Sequence, residues 1–308
     1  MPSTYFPCDL ATDQDASADL RTFARSQFDL VASVWHLDTP WPEESDFNRV
    51  ISRANGLFIF IKTLVLSLEH CEDPEESLKG ALQDSAETGL RSLYELYSSI
   101  LKAQIVHKQS EFQRVIGVLL ATSPYHALSD RAVAELAGVK PNLVKWWVDA
   151  LSSLLYRDDA ANGGIRARHL SVYEFFISDH FDYQVDARDA NLRLGVACLE
   201  TMVTHLRFNI CNLEDSRLAN ADIKDLPSRV KQNVSDALQY SCLHWSNHLC
   251  LPPDNRVLVL GSLKKFFEGL YPLFWVEVLS VMGMVAIGAP SLQRLLTWVG
   301  VSTPLACC

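Results

Sequence analysis

Residues 142–178, NLVKWWVDALSSLLYRDDAANGGIRARHLSVYEFFIS, decide the fold class, because the hydrophobic period changes twice within them. Asn142 to Leu155 reads as a helix carrying Trp146, Trp147, Val148 and Leu151. SLLYRDD and GIRARHL then flank an Ala-Ala-Asn-Gly-Gly loop, in which Asn162-Gly163 is a favoured hairpin turn. Ser171 and Glu174 have the spacing of a capping box opening the helix SVYEFFIS. Upstream, Phe112, Val115, Ile116, Leu119 and Leu120 mark one helix, and LSDRAVAELAG marks another, with Ser129 as N-cap and Gly138 as stop. Three helices followed by a two-stranded wing is the order of a winged helix, a variant of the helix-turn-helix.

Outward from this segment the chain reads as helix throughout. Leu20, Phe23, Ala24, Phe28 and Val31 stripe a helix from Leu20 to Val34, and HLDTPWPEESDF breaks it with two prolines. Asp46 to Ala54 is helical up to the Asn55-Gly56 stop, and LFIFIKTLVLSLEH is too long for a typical strand and reads as a buried helix. CEDPEES reads as an acidic loop, and after it Leu90, Leu93, Tyr94, Tyr97, Ile100, Leu101 and Ile105 follow amphipathic helical spacing. On the C-terminal side, Leu192, Val196, Leu199, Val203 and Leu206 stripe one helix. Val230, Val234, Leu238, Cys242, Trp245 and Leu249 stripe a second, and Asn255 to Leu270 is a third. The expected fold class is mainly α, with helical domains over 1–85 and 186–308 flanking a linker helix and winged-helix domain over 86–185.

Composition bounds the function. The 308 residues are 48% hydrophobic and 21% charged, ordinary for globular protein, and the net charge of −10 opposes a large nucleic-acid footprint. Eight scattered cysteines without a CxxC pair read as reduced thiols of an intracellular chain, and the polar N-terminus lacks the features of a signal peptide. Residues 270–288, LYPLFWVEVLSVMGMVAIG, approach the length of a membrane span, but Pro272, Glu277, Gly283 and Gly288 interrupt them. A buried helical hairpin is the expected form, with no membrane span and a cytoplasmic location.

Catalytic signatures are missing: there is no G-x-x-x-x-G-K-[ST], no G-x-S-x-G and no H-E-x-x-H. No enzyme activity of the chain itself is expected, and no catalytic residue is assigned. His244 and His248 are spaced i, i+4 in CLHWSNHLC, but Cys242 and Cys250 lie on other faces of the same helix, so four ligands do not converge and no metal site is assigned. In the expected recognition helix, Lys145 stands against Asp149 among Trp146, Trp147, Val148 and Leu151, a poor face for phosphates, so no nucleic-acid partner is expected. His169 stands just before the helix SVYEFFIS, where free backbone N–H groups favour anions and an imidazole could reach a phosphate; an ordinary histidine at the end of a wing strand fits the same position.

Four stretches, in order, resemble the region that follows the nucleotide-binding core in NACHT-type signal-transduction NTPases of fungi, related to the NOD-like receptor and STAND ATPase groups. DFNRVISRANGLFIFIKTL is similar to the helical end of the NACHT module, and LRSLYELYSSIL with FQRVIGVLLA to the linker helix and the opening of the winged helix. RHLSVYEFFIS is similar to the family's H-x-S-F-x-[DE]-F-L element, and RFNICNLEDS through LQYSCLHWSNHL to the helical segment that often precedes a repeat sensor. The resemblance implies a regulatory or scaffolding region, a fragment without the phosphate-binding core, in which ADP or ATP enters only through that core. It implies the core and a repeat sensor as partners, and it places His169 where related proteins contact the phosphates of ADP. Two rivals stand beside it: a winged-helix nucleic-acid-binding regulator, opposed by the charge and by Trp146 and Trp147, and a peripheral membrane protein using 270–288 or a lipidated Cys307-Cys308 tail, opposed by Glu277 and Pro272.

Overall fold

The computed structural model describes residues 14–83, 87–105, 108–161, 163–179, 182–215, 217–249 and 256–300. Among them the chain is mainly α, with a single two-stranded sheet. The helices are α1 (Gln14–Trp35), α2 (Glu44–Ala54), α3 (Phe58–Glu69), α4 (Pro74–Leu82), α5 (Gly89–Gln104), α6 (Gln109–Thr122), α7 (Asp130–Ala137) and α8 (Pro141–Ala150). Strands β1 (Leu155–Asp158) and β2 (Gly164–Ala167) follow. Then come α9 (Leu170–Ile177), α10 (Ala187–His205), α11 (Leu226–Asn233), α12 (Asp236–His248), α13 (Arg256–Glu268), α14 (Tyr271–Val281) and α15 (Gly288–Val299). The chain divides into two compact units interleaved in sequence: residues 1–107, 148–156 and 167–183 form the first, and 108–147, 157–166 and 184–308 the second.

In the first unit the apolar stripes face one another. Leu20, Ala24, Phe28 and Val31 of α1, Phe60, Ile61 and Leu64 of α3, Leu93 and Tyr97 of α5, and Phe175 and Phe176 of α9 are all buried. Asn55 ends α2 in the left-handed region at φ 43°, as the Asn-Gly pair implies. Arg53 is buried with them and is held by Ser92 at 2.9 Å, Glu95 at 2.9 Å and the Ala81 carbonyl. Burial lowers its pKa and the Glu95 charge opposes that shift, so the cation survives because it is paired.

The second unit is built on α10 and α12. Gly195 lies against the end of α12: a Cβ there would lie 2.7 Å from Leu249 Cδ2 and 3.3 Å from His248 Cβ, so the Leu249 side chain would have to move. Trp245, Phe266 and Trp275 are buried in this unit, and Trp275 Nε1 donates to the Cys242 carbonyl at 2.9 Å. Ser129 caps α7 through its hydroxyl, and Gly138 stops it at φ 63°, both as expected.

Several expectations need correction. CEDPEES is not a loop: Asp73 accepts from the Glu75 and Glu76 amides and opens α4, with Pro74 in its first turn and Glu75 and Glu76 near its positive end. The helix expected from Asn142 to Leu155 stops at Ala150, and Leu155 already belongs to β1. Of the hairpin turn, Asn162 lies outside the described residues; Gly163 donates to the Asp158 carbonyl at 2.9 Å. The stripe through Val230 and Leu249 is two helices, because Ser235 takes the Leu238 amide and starts α12 afresh. His169, not Ser171, is the N-cap of α9. The Cys307-Cys308 tail lies outside the described residues.

Residues 270–288 are not the expected buried hairpin: they hold one helix, α14, and a short turn after it, because Gly283 ends the helical run, and Leu270, Leu273, Val276, Met284 and Val285 are exposed. Among the described residues no helix is long and apolar enough to cross a membrane. Glu277, the mid-segment carboxylate, holds a turn in place. Its two oxygens accept from the Asn209 and Ile210 amides at 3.2 and 3.1 Å. Those amides lie in a tight turn in which Asn209 has φ 49° and its side chain brackets Leu213 from both sides. Replacing Glu277 by Ala leaves both amides without their acceptor, and urea unfolding should register a loss of about 1–3 kcal/mol. Glu277→Gln, which keeps one acceptor oxygen, should lose less.

Candidate functional site

The candidate site in the first unit is built from the N-terminus of α9. His169 has an extended backbone, and its Nδ1 accepts the Ser171 amide at 3.2 Å, a position usually filled by the oxygen of Asp, Asn or Ser. This is why the expected Ser171–Glu174 box does not form. With the amide taken by the imidazole, the buried Ser171 hydroxyl can bond both His169 Nδ1 and the Tyr97 hydroxyl, each at 2.8 Å. Tyr97 comes from α5 and is fully buried, with Phe175 5.6 Å away edge-on and Tyr94 stacked at 6.3 Å. Burial pushes its phenol pKa up, while its hydrogen bonding with Ser171 acts the other way.

Around the imidazole the surface is open. His169 is exposed and the next residue, Leu170, is 66% exposed. Arg168 is exposed as well: its amide donates to the Leu154 carbonyl at 2.9 Å, its Nε is anchored on the Ser152 carbonyl, and its guanidinium carbon lies 5.4 Å over the Tyr156 ring. The N-terminus of a helix, an imidazole and a guanidinium thus occupy successive residues of one chain segment.

His244 and His248, the other histidines singled out by spacing, sit in the second unit inside a ring cluster with Tyr125, His126 and Tyr240. Ring centroids are 4.5 Å apart for Tyr125–His244, 5.3 Å for His126–His244 and 5.8 Å for Tyr240–His248. His248 is 1% exposed, and both its nitrogens are engaged, Nε2 with the Tyr240 hydroxyl at 2.7 Å and Nδ1 with Asn191 Oδ1 at 2.9 Å. Asn191 donates its amide to the Ala187 carbonyl at 2.7 Å, which turns Oδ1 toward His248 and makes Nδ1–H the donor there. His248 is therefore a satisfied core histidine. Cys242 is buried, with its thiol pKa pushed up by desolvation, and Cys250 lies outside the described residues. Among the described residues no group of three or more His, Cys, Asp or Glu is placed to hold a metal ion.

Of the expected recognition helix, Trp147 and Val148 are buried, while Trp146 is 50% exposed and Lys145 is exposed. The second unit also contains an open cavity of about 880 Å³ between α6, the end of α7 and α10, bordered by Arg114, Glu135, Asp186, Asp189, Arg193 and Glu200. Its charges are largely spent within the protein: Asp189 pairs with Arg193 at 2.6 Å and Asp186 caps α10. No protein family, curated protein or solved structure matches the chain.

Sequence reasoning singled out His169 but missed Ser171 as its hydroxyl partner and Tyr97 altogether. Tyr97 had the spacing of a core residue and lies 74 positions from Ser171, so no local pattern joins the two. Asn191 was missed for the same reason, 57 positions from His248.

The ring cluster has a consequence for acid stability. Burial, followed by neighbouring cationic groups, lowers the pKa of His248 and of His244 to about 4. In the unfolded chain both take up protons near pH 6.5. The unfolded state thus binds more protons between pH 6.5 and 4, and stability falls as pH falls through that window, then levels off below it. For His248 the slope should approach roughly 1 kcal/mol per pH unit. Denaturant melts from pH 7 to pH 4 should show it, and His248→Phe should flatten the profile.

Proposed function

We propose that this chain is a non-catalytic regulatory or scaffolding region of a NACHT-type signal-transduction ATPase. Its α6–α8 and β1–β2 segment acts as a winged helix that contributes to the ADP-bound closed state when joined to a nucleotide-binding core. The observation that carries this reading is His169: it caps α9 with one ring nitrogen and stands exposed beside Arg168, so it supplies an anion-binding contact too small to hold a nucleotide alone. Such a contact biases a two-state equilibrium rather than driving a reaction. The chain then works in the cytoplasm, with ADP or ATP reaching it only through the core. Protein partners, a repeat sensor among them, are supported by the last helix: α15 buries only Ser291, while Leu292, Leu296 and Val299 remain exposed.

Because the imidazole acts through both nitrogens, two substitutions separate its roles. His169→Asn keeps an acceptor at the place of Nδ1 and loses the reach of Nε2; His169→Gln keeps a donor near Nε2 and loses the cap. With the chain fused behind a nucleotide-binding core of this class, His169→Asn should leave the melting transition in place and speed ADP release by roughly five- to 150-fold, the usual span of allosteric coupling. His169→Gln should release ADP nearly as slowly as wild type while α9 loses about 0.5–2 kcal/mol of capping energy. Equal ADP off-rates in wild type and His169→Asn would contradict the proposal.

A further inference from the structure

We infer that Ser171 and Tyr97 are positioning residues that hold the His169 imidazole in its Nε2–H tautomer, so that the ring offers a single neutral donor to an oxyanion ligand. The Ser171 amide can only donate, so the Nδ1 that it meets at 3.2 Å carries a lone pair and no hydrogen. The Ser171 hydroxyl meets the same nitrogen at 2.8 Å, and with no hydrogen on Nδ1 the hydroxyl must be the donor. Having spent its proton there, Ser171 Oγ receives the Tyr97 phenol proton across 2.8 Å. Both hydroxyls of the chain, Tyr97 and Ser171, thus point their protons toward His169, a direction fixed by one backbone amide.

Both Tyr97 and Ser171 are buried, Tyr97 wholly and Ser171 with 3% of its surface exposed, so water does not compete for either group. The alternative tautomer, with hydrogen on Nδ1, would set two donors against each other at Ser171 and strip the cap from α9. The consequence lies at the other nitrogen. A neutral ring with hydrogen on Nε2 has no lone pair to offer outward, so it acts neither as a general base nor as a metal ligand at that atom. It donates, and the complementary ligand is an acceptor such as a phosphate or carboxylate oxygen, with Arg168 as the adjacent charge. The ligand class rests on the function proposed above; the tautomer does not.

The full chain, labelled with ¹⁵N and free of nucleotide, gives the test through long-range ¹H–¹⁵N spectra of the histidine rings, with His169 assigned by the peaks that His169→Asn removes. The wild type should show an unprotonated, hydrogen-bonded Nδ1 and a protonated Nε2. Ser171→Ala should move the Nδ1 resonance toward that of free imidazole, and Tyr97→Phe, which keeps the buried ring, should move it in the same direction by a smaller amount. Hydrogen on Nδ1 in the wild type, or an Nδ1 resonance that neither substitution moves, would overturn the inference. A locked ring together with unchanged ADP release in the fused His169→Asn protein would support the tautomer and sink the proposed function, so the two fail separately.

Discussion

The hydrogen bond between the Tyr97 hydroxyl and the Ser171 hydroxyl is the constraint on which the rest of the site depends. It is buried, 2.8 Å long, and joins α5 to the first turn of α9 across 74 residues. A short helix of eight residues has little intrinsic stability, so its place must come from tertiary contacts. Phe175 and Phe176 provide the apolar part, and Tyr97 provides the directional part. His169 caps the helix, and the Ser171 hydroxyl, not needed as a cap, bonds both His169 Nδ1 and Tyr97. The Ser171 amide sets which nitrogen of His169 faces outward, and the buried Tyr97–Ser171 bond ties that cap to α5.

The two histidine environments show how little the residue type alone says. His248 is enclosed, with Asn191 on one nitrogen and Tyr240 on the other, and its neutral form is enforced by burial. His169 has one nitrogen committed inward and the other on an open surface beside Arg168. Only the second arrangement leaves a polar group for a ligand. The same contrast holds among the thiols, since Cys198 is wholly buried with a pKa pushed up to about 12 and is chemically quiet for that reason.

Much of the helical order was legible in the sequence, because it rests on local physics. The stripes of α1, α5 and α6, the Asn55 and Gly138 stops and the Ser129 cap all depend on residues within a turn or two of one another. Misreadings arose where two local signals competed. The stripe through Val230 and Leu249 hid the Ser235 cap that divides it, and the acidity of CEDPEES masked the Asp-Pro-Glu-Glu start of α4. At α9 the Ser171–Glu174 spacing pointed to the wrong cap, because an imidazole two residues earlier accepts the amide instead. His169 as a candidate could be read from its place before a helix; the network behind it could not, since Tyr97 looks like any core residue of an amphipathic stripe.

Whether α9 and its cap hang on the Tyr97–Ser171 bond is tested most directly by native-state amide hydrogen exchange in wild type and Tyr97→Phe. Removing this single oxygen should speed exchange at the Ser171 amide and through the first turn of α9, while the amides of α5, held by their own helix and by the unchanged ring, keep their protection. Unaltered protection at Ser171 in Tyr97→Phe would contradict the dependence of α9 on that bond.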